Sequence, residues 1–89
     1  MYKIIIFGTG LYGKQALQFF TRENVMFWTD NKEDLHGKLI EGIEVIPPSE
    51  LKKYLNECVI VIAAKPEFFN QIKYQLNKEY GIEMALNYT

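Results

Sequence analysis

A glycine-rich turn near the start of the chain holds the residues best suited to chemistry. The segment Gly8-Thr9-Gly10-Leu11-Tyr12-Gly13 follows an apolar run and precedes a helical pattern. In such a turn the first glycine allows a tight bend, the second leaves room for a pyrophosphate, and the third lets the helix pack closely on a sheet. The helix start also directs unpaired N–H groups and a positive dipole end at an anion. These six residues predict a phosphate site; the alternative is that the glycines serve only turn and packing geometry.

Asp30 is the acidic residue whose position fits the far end of such a site. It lies 17 residues after Gly13, close to the spacing of about 20 at which an acid accepts hydrogen bonds from a ribose. A carboxylate here can equally cap the following turn together with Asn31, and the sequence leaves both interpretations open. If a dinucleotide binds, the charge of Asp30 favours NAD over NADP by repelling a 2′-phosphate, and Lys32 softens that preference.

Four further side chains have types that occur in active sites, and each has an ordinary explanation. Lys65 follows an apolar run, where it meets either a phosphate or solvent. His36 stands in a polar segment without a second histidine or cysteine nearby, so we expect a solvated side chain and no metal site. Tyr74 and Lys78 have the spacing of a catalytic Tyr-x-x-x-Lys pair. Because no partner serine precedes them, we expect an exposed helical surface instead.

The pattern of apolar residues gives the elements that must position these groups. Strands are predicted at residues 4–7, 25–28, 43–46, 58–64 and 84–88, and helices at 11–22, at a short segment capped by Ser49, and after Pro66. Residues 31–42 are polar and carry two glycines, so we expect a loop there. The strand at 43–46 is short and ends at two prolines, which indicates a sheet edge.

Strands that alternate with helices predict an α/β fold with a parallel sheet and right-handed crossovers. We expect a three-layer, Rossmann-like parallel sheet of about five strands in the order 3-2-1-4-5, because doubly wound sheets reverse direction after their third strand. Residues 1–89 are expected to form a single domain.

Composition narrows the classes of partner. The net charge is −1 and basic residues do not cluster, so we expect no nucleic acid and no membrane as partner. Cys58 stands alone, which excludes an internal disulfide, and no apolar stretch is long enough for a secretion signal or a membrane span. The expected location is the cytoplasm.

The segment after Asp30 carries a family resemblance. Trp28-Thr29-Asp30-Asn31 is followed by Gly37-Lys38 and then by Gly42-Ile43-Glu44-Val45-Ile46-Pro47-Pro48-Ser49-Glu50-Leu51. Together with the glycine-rich turn, this resembles the Rossmann-like N-terminal domains of bacterial surface-polysaccharide biosynthesis proteins. That group comprises sugar acyltransferases, nucleoside-diphosphate-sugar epimerase- and dehydratase-like proteins, and FkbM-type methyltransferases. The likeness spans residues 3–64.

The resemblance implies where a nucleotide would lie. Gly8, Gly10 and Gly13 would line its phosphate, Asp30 and Asn31 would stand at its sugar end, and Ala63, Ala64 and Lys65 would border the same crevice. The hexapeptide repeats of the acyltransferases and the catalytic second half of the epimerases are not in this sequence.

The expected function is therefore binding of NAD(P) or a nucleoside-diphosphate-sugar, as the N-terminal module of a longer polysaccharide- or sugar-modifying enzyme. The parent is expected to be a transferase or an epimerase/dehydratase, and the domain itself not to be catalytic. A missing C-terminal domain or a homo-oligomer would complete it. The alternatives are a non-catalytic sensor or interaction module and a stand-alone NAD-dependent oxidoreductase.

Overall fold

The computed structural model describes residues 2–88 and shows a mixed α/β fold. These residues form two α-helices and six strands. They are β1 (Lys3–Phe7), α1 (Leu11–Phe20), β2 (Val25–Thr29), β3 (Leu39–Ile40), β4 (Ile43–Ile46), β5 (Cys58–Ile62), α2 (Phe69–Tyr80) and β6 (Leu86–Asn87). Short 3₁₀ helices occupy Arg22–Asn24, Glu33–Leu35, Pro48–Tyr54 and Pro66–Phe68.

The sheet is mostly parallel, with strand order β3-β4-β2-β1-β5-β6. The five strands β4, β2, β1, β5 and β6 pair in parallel, and they stand in the order predicted for the five expected strands. Because β1 lies between β2 and β5, the chain reverses direction beside it, which is the point where doubly wound sheets bind ligands. The predicted fold class is confirmed.

The segment expected to be a loop contains an additional strand. Leu39–Ile40 pairs antiparallel with β4, so β3 forms the sheet edge and the prediction of an edge strand at Ile43–Ile46 was wrong. The two strands are joined by Glu41 and Gly42, whose φ angles of 54° and 78° are both positive, as a two-residue hairpin turn requires.

Trp28 fixes this hairpin to the rest of the sheet. Its side chain is fully buried, and its indole N–H donates a 2.9 Å hydrogen bond to the carbonyl oxygen of Ile40. A buried indole needs an acceptor for its N–H, and the hairpin supplies one. The edge strand is therefore held by a core residue that lies outside its own sequence neighbourhood.

Both faces of the sheet are covered, in three layers. On one face, α1 packs Ala16 and Leu17 against Ile6 and Trp28. On the other face, α2 packs Phe69 and Leu76, together with the 3₁₀ segment's Leu51, against the strand residues Ile5, Phe7, Ile60 and Ile62. Successive residues of β1 point to opposite faces, which explains why its sequence is an unbroken apolar run.

The bounds of several helices and strands differ from the prediction. The segment after Pro47 is a 3₁₀ helix with Pro47 at its N-cap, and no side chain caps it, so the prediction that Ser49 caps this helix was wrong. The strand predicted to reach residue 64 ends at Ile62, and the last strand is limited to Leu86–Asn87. Neither helix of residues 2–88 is long and apolar enough to cross a membrane.

Candidate functional site

The glycine-rich turn lies where the carboxyl ends of three neighbouring strands meet. The N–H of Gly8 donates a 2.9 Å hydrogen bond to the carbonyl oxygen of Thr29, and the N–H of Ala63 donates one of 2.9 Å to Phe7. Gly8 has a φ of +121°, and a Cβ there would overlap the carbonyl oxygen of Ala63. The turn therefore requires glycine at position 8 because the neighbouring strand leaves no room for a side chain.

Gly13 and Gly10 differ in what surrounds them. A Cβ on Gly13 would overlap the carbonyl oxygen of Gly8 and lie 3.2 Å from the Trp28 ring, so this glycine is needed for close packing of α1. A Cβ on Gly10 would meet nothing within 4 Å. Gly10 also has a φ of −85°, which any residue adopts. Neither packing nor backbone conformation explains the glycine at position 10.

The amides at the start of α1 are largely free. Gly10 is the N-cap residue, no side chain caps the helix, and its first turn holds no acidic residue. Within residues 2–88 the N–H groups of Gly10, Leu11, Tyr12 and Gly13 have no hydrogen-bond acceptor, and Lys14 makes the first bond, of 3.0 Å, to the carbonyl of Gly10. Unpaired N–H groups at a helix start attract an anion together with the helix dipole.

Besides Gly8, whose N–H is bound to Thr29, a second amide of the turn is occupied. Asp30 Oδ2 accepts hydrogen bonds from the backbone N–H of Thr9 at 3.1 Å and from its hydroxyl at 2.9 Å. Asp30 Oδ1 accepts a third bond, of 3.0 Å, from the N–H of Lys32. Asp30 thus caps the turn after β2 through the N–H of Lys32, but without Asn31, and its contact with a ribose stays a prediction. An ionised carboxylate has about four acceptor positions, so the capping role leaves room for one further donor.

Asn31 pairs with a residue that the sequence analysis did not single out. Its Nδ2 donates to Gln75 Oε1 at 3.0 Å, and Gln75 Nε2 donates to Asn31 Oδ1 at 2.7 Å. Gln75 lies on α2, 44 positions away in the chain. No local pattern marks this pair, because a glutamine in a helix is ordinary and its partner is set by the packing of α2.

His36 is more buried than expected and contacts the backbone. Its side chain is half-buried, and Nε2 lies 2.7 Å from the carbonyl oxygen of Asp30. The expectation of a solvated side chain was therefore wrong: the 3₁₀ turn at Glu33–Leu35 folds the loop back so that its histidine supports the backbone beside Asp30.

The loop after β5 places the remaining predicted residues next to the turn. Ala63 is buried against Gly8, Ala64 is half-buried, and Lys65 is exposed. In the part of the chain that the structure describes, Lys65 forms no ion pair with a carboxylate. Its ammonium is therefore not neutralised by a carboxylate of the described residues, and its contact with a phosphate stays a prediction.

The other candidates are explained by packing and surface chemistry. Tyr74 is largely exposed and the Lys78 ammonium lies 6.0 Å from its ring centre. Cys58 is buried with its Sγ 3.6 Å from Met26 Sδ; burial raises the pKa of this thiol, the charge of Glu57 adds to that, and Lys3 opposes it. Among residues 2–88, no three histidine, cysteine or acidic side chains come close enough to hold a metal.

A groove lies away from the glycine-rich turn. A groove of about 490 Å³ runs between the end of α1 and the β5–β6 half of the sheet, lined by Phe19, Phe20, Val59, Val61 and Leu86, among others. It is not formed by the glycine-rich turn. A phosphate held by the amides of an open helix start would need no deep cavity.

The doubly wound sheet and the glycine-rich turn between β1 and α1 define a domain of the Rossmann type. The chain belongs to the C2185-like N-terminal family, whose model matches residues 1–85. No curated protein matches the sequence.

Solved structures with similar folds support this assignment of the fold. UDP-D-quinovosamine 4-dehydrogenase from Vibrio fischeri is 17% identical, with a TM-score of 0.71 over 97% of this chain and 75% of its own. RSP, a Rex-family repressor, is 19% identical, with a TM-score of 0.68 over 98% of this chain and 44% of its own. RSP in complex with β-NAD⁺ and operator DNA gives 20% identity and a TM-score of 0.67 over 98% of this chain and 43% of its own.

Proposed function

We propose that this domain binds the phosphate groups of a nucleotide, NAD or a nucleoside-diphosphate-sugar, at the start of α1. The observation that carries the proposal is the set of free amides at Gly10, Leu11, Tyr12 and Gly13. One of them belongs to Gly10, where the space that a Cβ would occupy is open. A helix start that is neither capped nor acidic is the arrangement that stabilises a bound anion.

The neighbouring residues support a ribose-linked phosphate over inorganic phosphate. Asp30 retains about one acceptor position after its three protein hydrogen bonds, and a ribose hydroxyl can donate to it. The negative charge of Asp30, which accepts two hydrogen bonds from Thr9, repels a 2′-phosphate and so disfavours a ribose that carries one. Lys65, on the adjacent loop, supplies a positive charge without a carboxylate partner among residues 2–88.

The two candidate ligands are also those of the similar structures. One of these is a UDP-sugar dehydrogenase, and another holds β-NAD⁺. The family name describes an N-terminal unit, which agrees with a module that supplies nucleotide binding to a longer sugar- or polysaccharide-modifying enzyme. We therefore propose both the ligand class and a role as a module of such an enzyme.

Thermal denaturation in the presence of nucleotides tests the proposal. The panel is NAD⁺, NADP⁺, a UDP-sugar and inorganic pyrophosphate. A ligand at a hundred times its Kd adds about 2.7 kcal/mol to the free energy of unfolding, which corresponds to about 10 to 20 °C in Tm for a domain of this size. We expect a rise with NAD⁺ or the UDP-sugar and a smaller rise with NADP⁺. An unchanged Tm with every compound would overturn the proposal.

A further inference from the structure

The reciprocal amide pair of Asn31 and Gln75 is the polar feature at this edge of the sheet that nucleotide phosphate binding does not use. It joins the end of β2 to α2 through two hydrogen bonds of 3.0 and 2.7 Å. Asn31 is exposed and Gln75 half-buried, so the pair is open to a ligand.

The position of the pair follows from its neighbours. Asn31 directly follows Asp30, whose carboxylate is bound to Thr9 of the glycine-rich turn. Gln75 lies on α2, which packs on the sheet face opposite to α1. A nucleotide whose phosphate lies at the start of α1, and whose ribose meets Asp30, would have its base within reach of the pair, because the base is attached to that ribose and Asn31 is the next residue in the chain.

The chemistry of the pair suits a nucleobase edge. A carboxamide has two N–H donors and an oxygen with two acceptor positions, and the reciprocal pair uses one donor and one acceptor position of each group. When two carboxamides pair reciprocally in one plane, the free N–H of one and the free acceptor position of the other lie on the same side, and one such set would be Asn31 Nδ2 and Gln75 Oε1. These two atoms are 3.0 Å apart. Each amide also fixes the orientation of the other, so the edge is formed before a ligand arrives.

We infer that the Asn31–Gln75 pair recognises the base of the bound nucleotide through one donor and one acceptor. This inference rests on the proposed function. The ligand class is a nucleotide whose base carries an adjacent donor and acceptor on one edge. Adenine offers its 6-amino group beside N7, and uracil offers N3–H beside O4.

Four nucleotides and three variants test the inference. ADP is compared with purine riboside 5′-diphosphate, which lacks the 6-amino group, and UDP with 3-methyluridine 5′-diphosphate, which lacks the N3–H. Affinities are measured by titration calorimetry on the wild-type chain, Gln75→Leu, Asn31→Ala and Gln71→Leu. Gln71 lies one helical turn earlier on α2 and is exposed, so Gln71→Leu is the matched control.

We expect the wild-type chain to bind ADP or UDP about tenfold more tightly than its altered analogue, because a bidentate contact between an amide and a base contributes about that discrimination. Gln75→Leu and Asn31→Ala, from two different elements, should each bring the ratio close to one, while Gln71→Leu keeps it. Equal affinity of parent and analogue for the wild-type chain, or a ratio that survives both substitutions, would overturn the inference. If none of the four nucleotides binds, it is the proposed function that fails.

Discussion

Thr9 donates two hydrogen bonds to a single oxygen of Asp30, from its backbone N–H at 3.1 Å and from its hydroxyl at 2.9 Å. The contact joins the glycine-rich turn to the end of β2 across 21 positions of sequence. It fixes the direction in which the turn leaves β1, and it places a negative charge at one end of the row of free amides. The same carboxylate therefore shapes the turn and would disfavour additional negative charge on the proposed ligand.

The Thr9–Asp30 contact should be measurable as a coupling energy. We expect Asp30→Ala to lower the free energy of unfolding by about 1 to 3 kcal/mol, because two donors of Thr9 lose a charged acceptor. Thr9→Val removes one of them. In urea denaturation the double variant should lose less than the sum of the single variants, by about 0.5 to 3 kcal/mol. Strict additivity would show that the contact does not contribute to stability.

Gly10→Val separates ligand binding from folding. The valine side chain enters open space, so we expect only the modest fall in Tm that a poorer N-cap residue causes, while the rise in Tm with nucleotide disappears. Ser49→Val is the matched control, since Ser49 is exposed at another helix start and caps nothing. If Gly10→Val keeps the ligand-induced rise, the nucleotide lies elsewhere.

Gly13→Ala should have the opposite effect. A Cβ there overlaps the carbonyl oxygen of Gly8, so α1 must move away from the sheet. We expect a loss of about 1 to 3 kcal/mol in the free energy of unfolding, the range found for overpacked cores. Circular dichroism during urea denaturation gives the value. A variant as stable as the wild-type chain would contradict the packing role of Gly13.

Thr29→Val should stabilise the protein. Thr29 is fully buried, and its Oγ1 has no hydrogen-bond partner in residues 2–88. Replacing the hydroxyl by a methyl group removes the cost of burying a polar atom without a partner, which mutational data place at about 1 to 3 kcal/mol. We expect a higher Tm in calorimetry. Val61→Thr, which introduces a hydroxyl at a buried position of β5, should lower Tm.

The buried thiol of Cys58 predicts a dependence of stability on alkaline pH. Burial raises its pKa above the ordinary value of 9.0, so folding favours the protonated form. Its contribution to stability is therefore complete below that value and is lost as the pH rises through the higher pKa of the folded state. Urea denaturation from about pH 8 to about pH 10 should show a smaller decline for Cys58→Ala than for the wild-type chain. Equal declines would mean that Cys58 titrates alike in both states.

Much of the fold can be predicted from local sequence. The short apolar runs of β1 and β5, each followed by residues that favour a turn, indicate strands, and the helical spacing of Gly13, Ala16 and Phe20 indicates α1. Right-handed crossovers then leave few strand orders, and the predicted one was confirmed for the five parallel strands. The hairpin of β3 was missed, although Glu41 and Gly42 carry a turn signal, because the polar residues before them favoured a loop.

Part of the candidate site can likewise be predicted from the sequence, and part cannot. Gly8 and Gly13 are required by contacts of a strand-turn-helix unit, and the sequence pattern predicts that unit. The nucleotide site itself stays a prediction. The sequence does not predict the hydrogen bonds from Thr9 to Asp30, the pairing of Asn31 with Gln75 or the contact of His36 with the Asp30 carbonyl.

The sequence by itself determined most helices and strands and the glycine-rich turn. These features depend on the pattern of apolar residues and on the absence of a Cβ at glycine, which both act over a few neighbouring residues. Only the tertiary structure decided which side chains meet at the carboxyl edge of the sheet. Those partners lie up to 44 positions apart, and their meeting depends on how α2 and the loop after β2 pack on a core that the whole chain builds together.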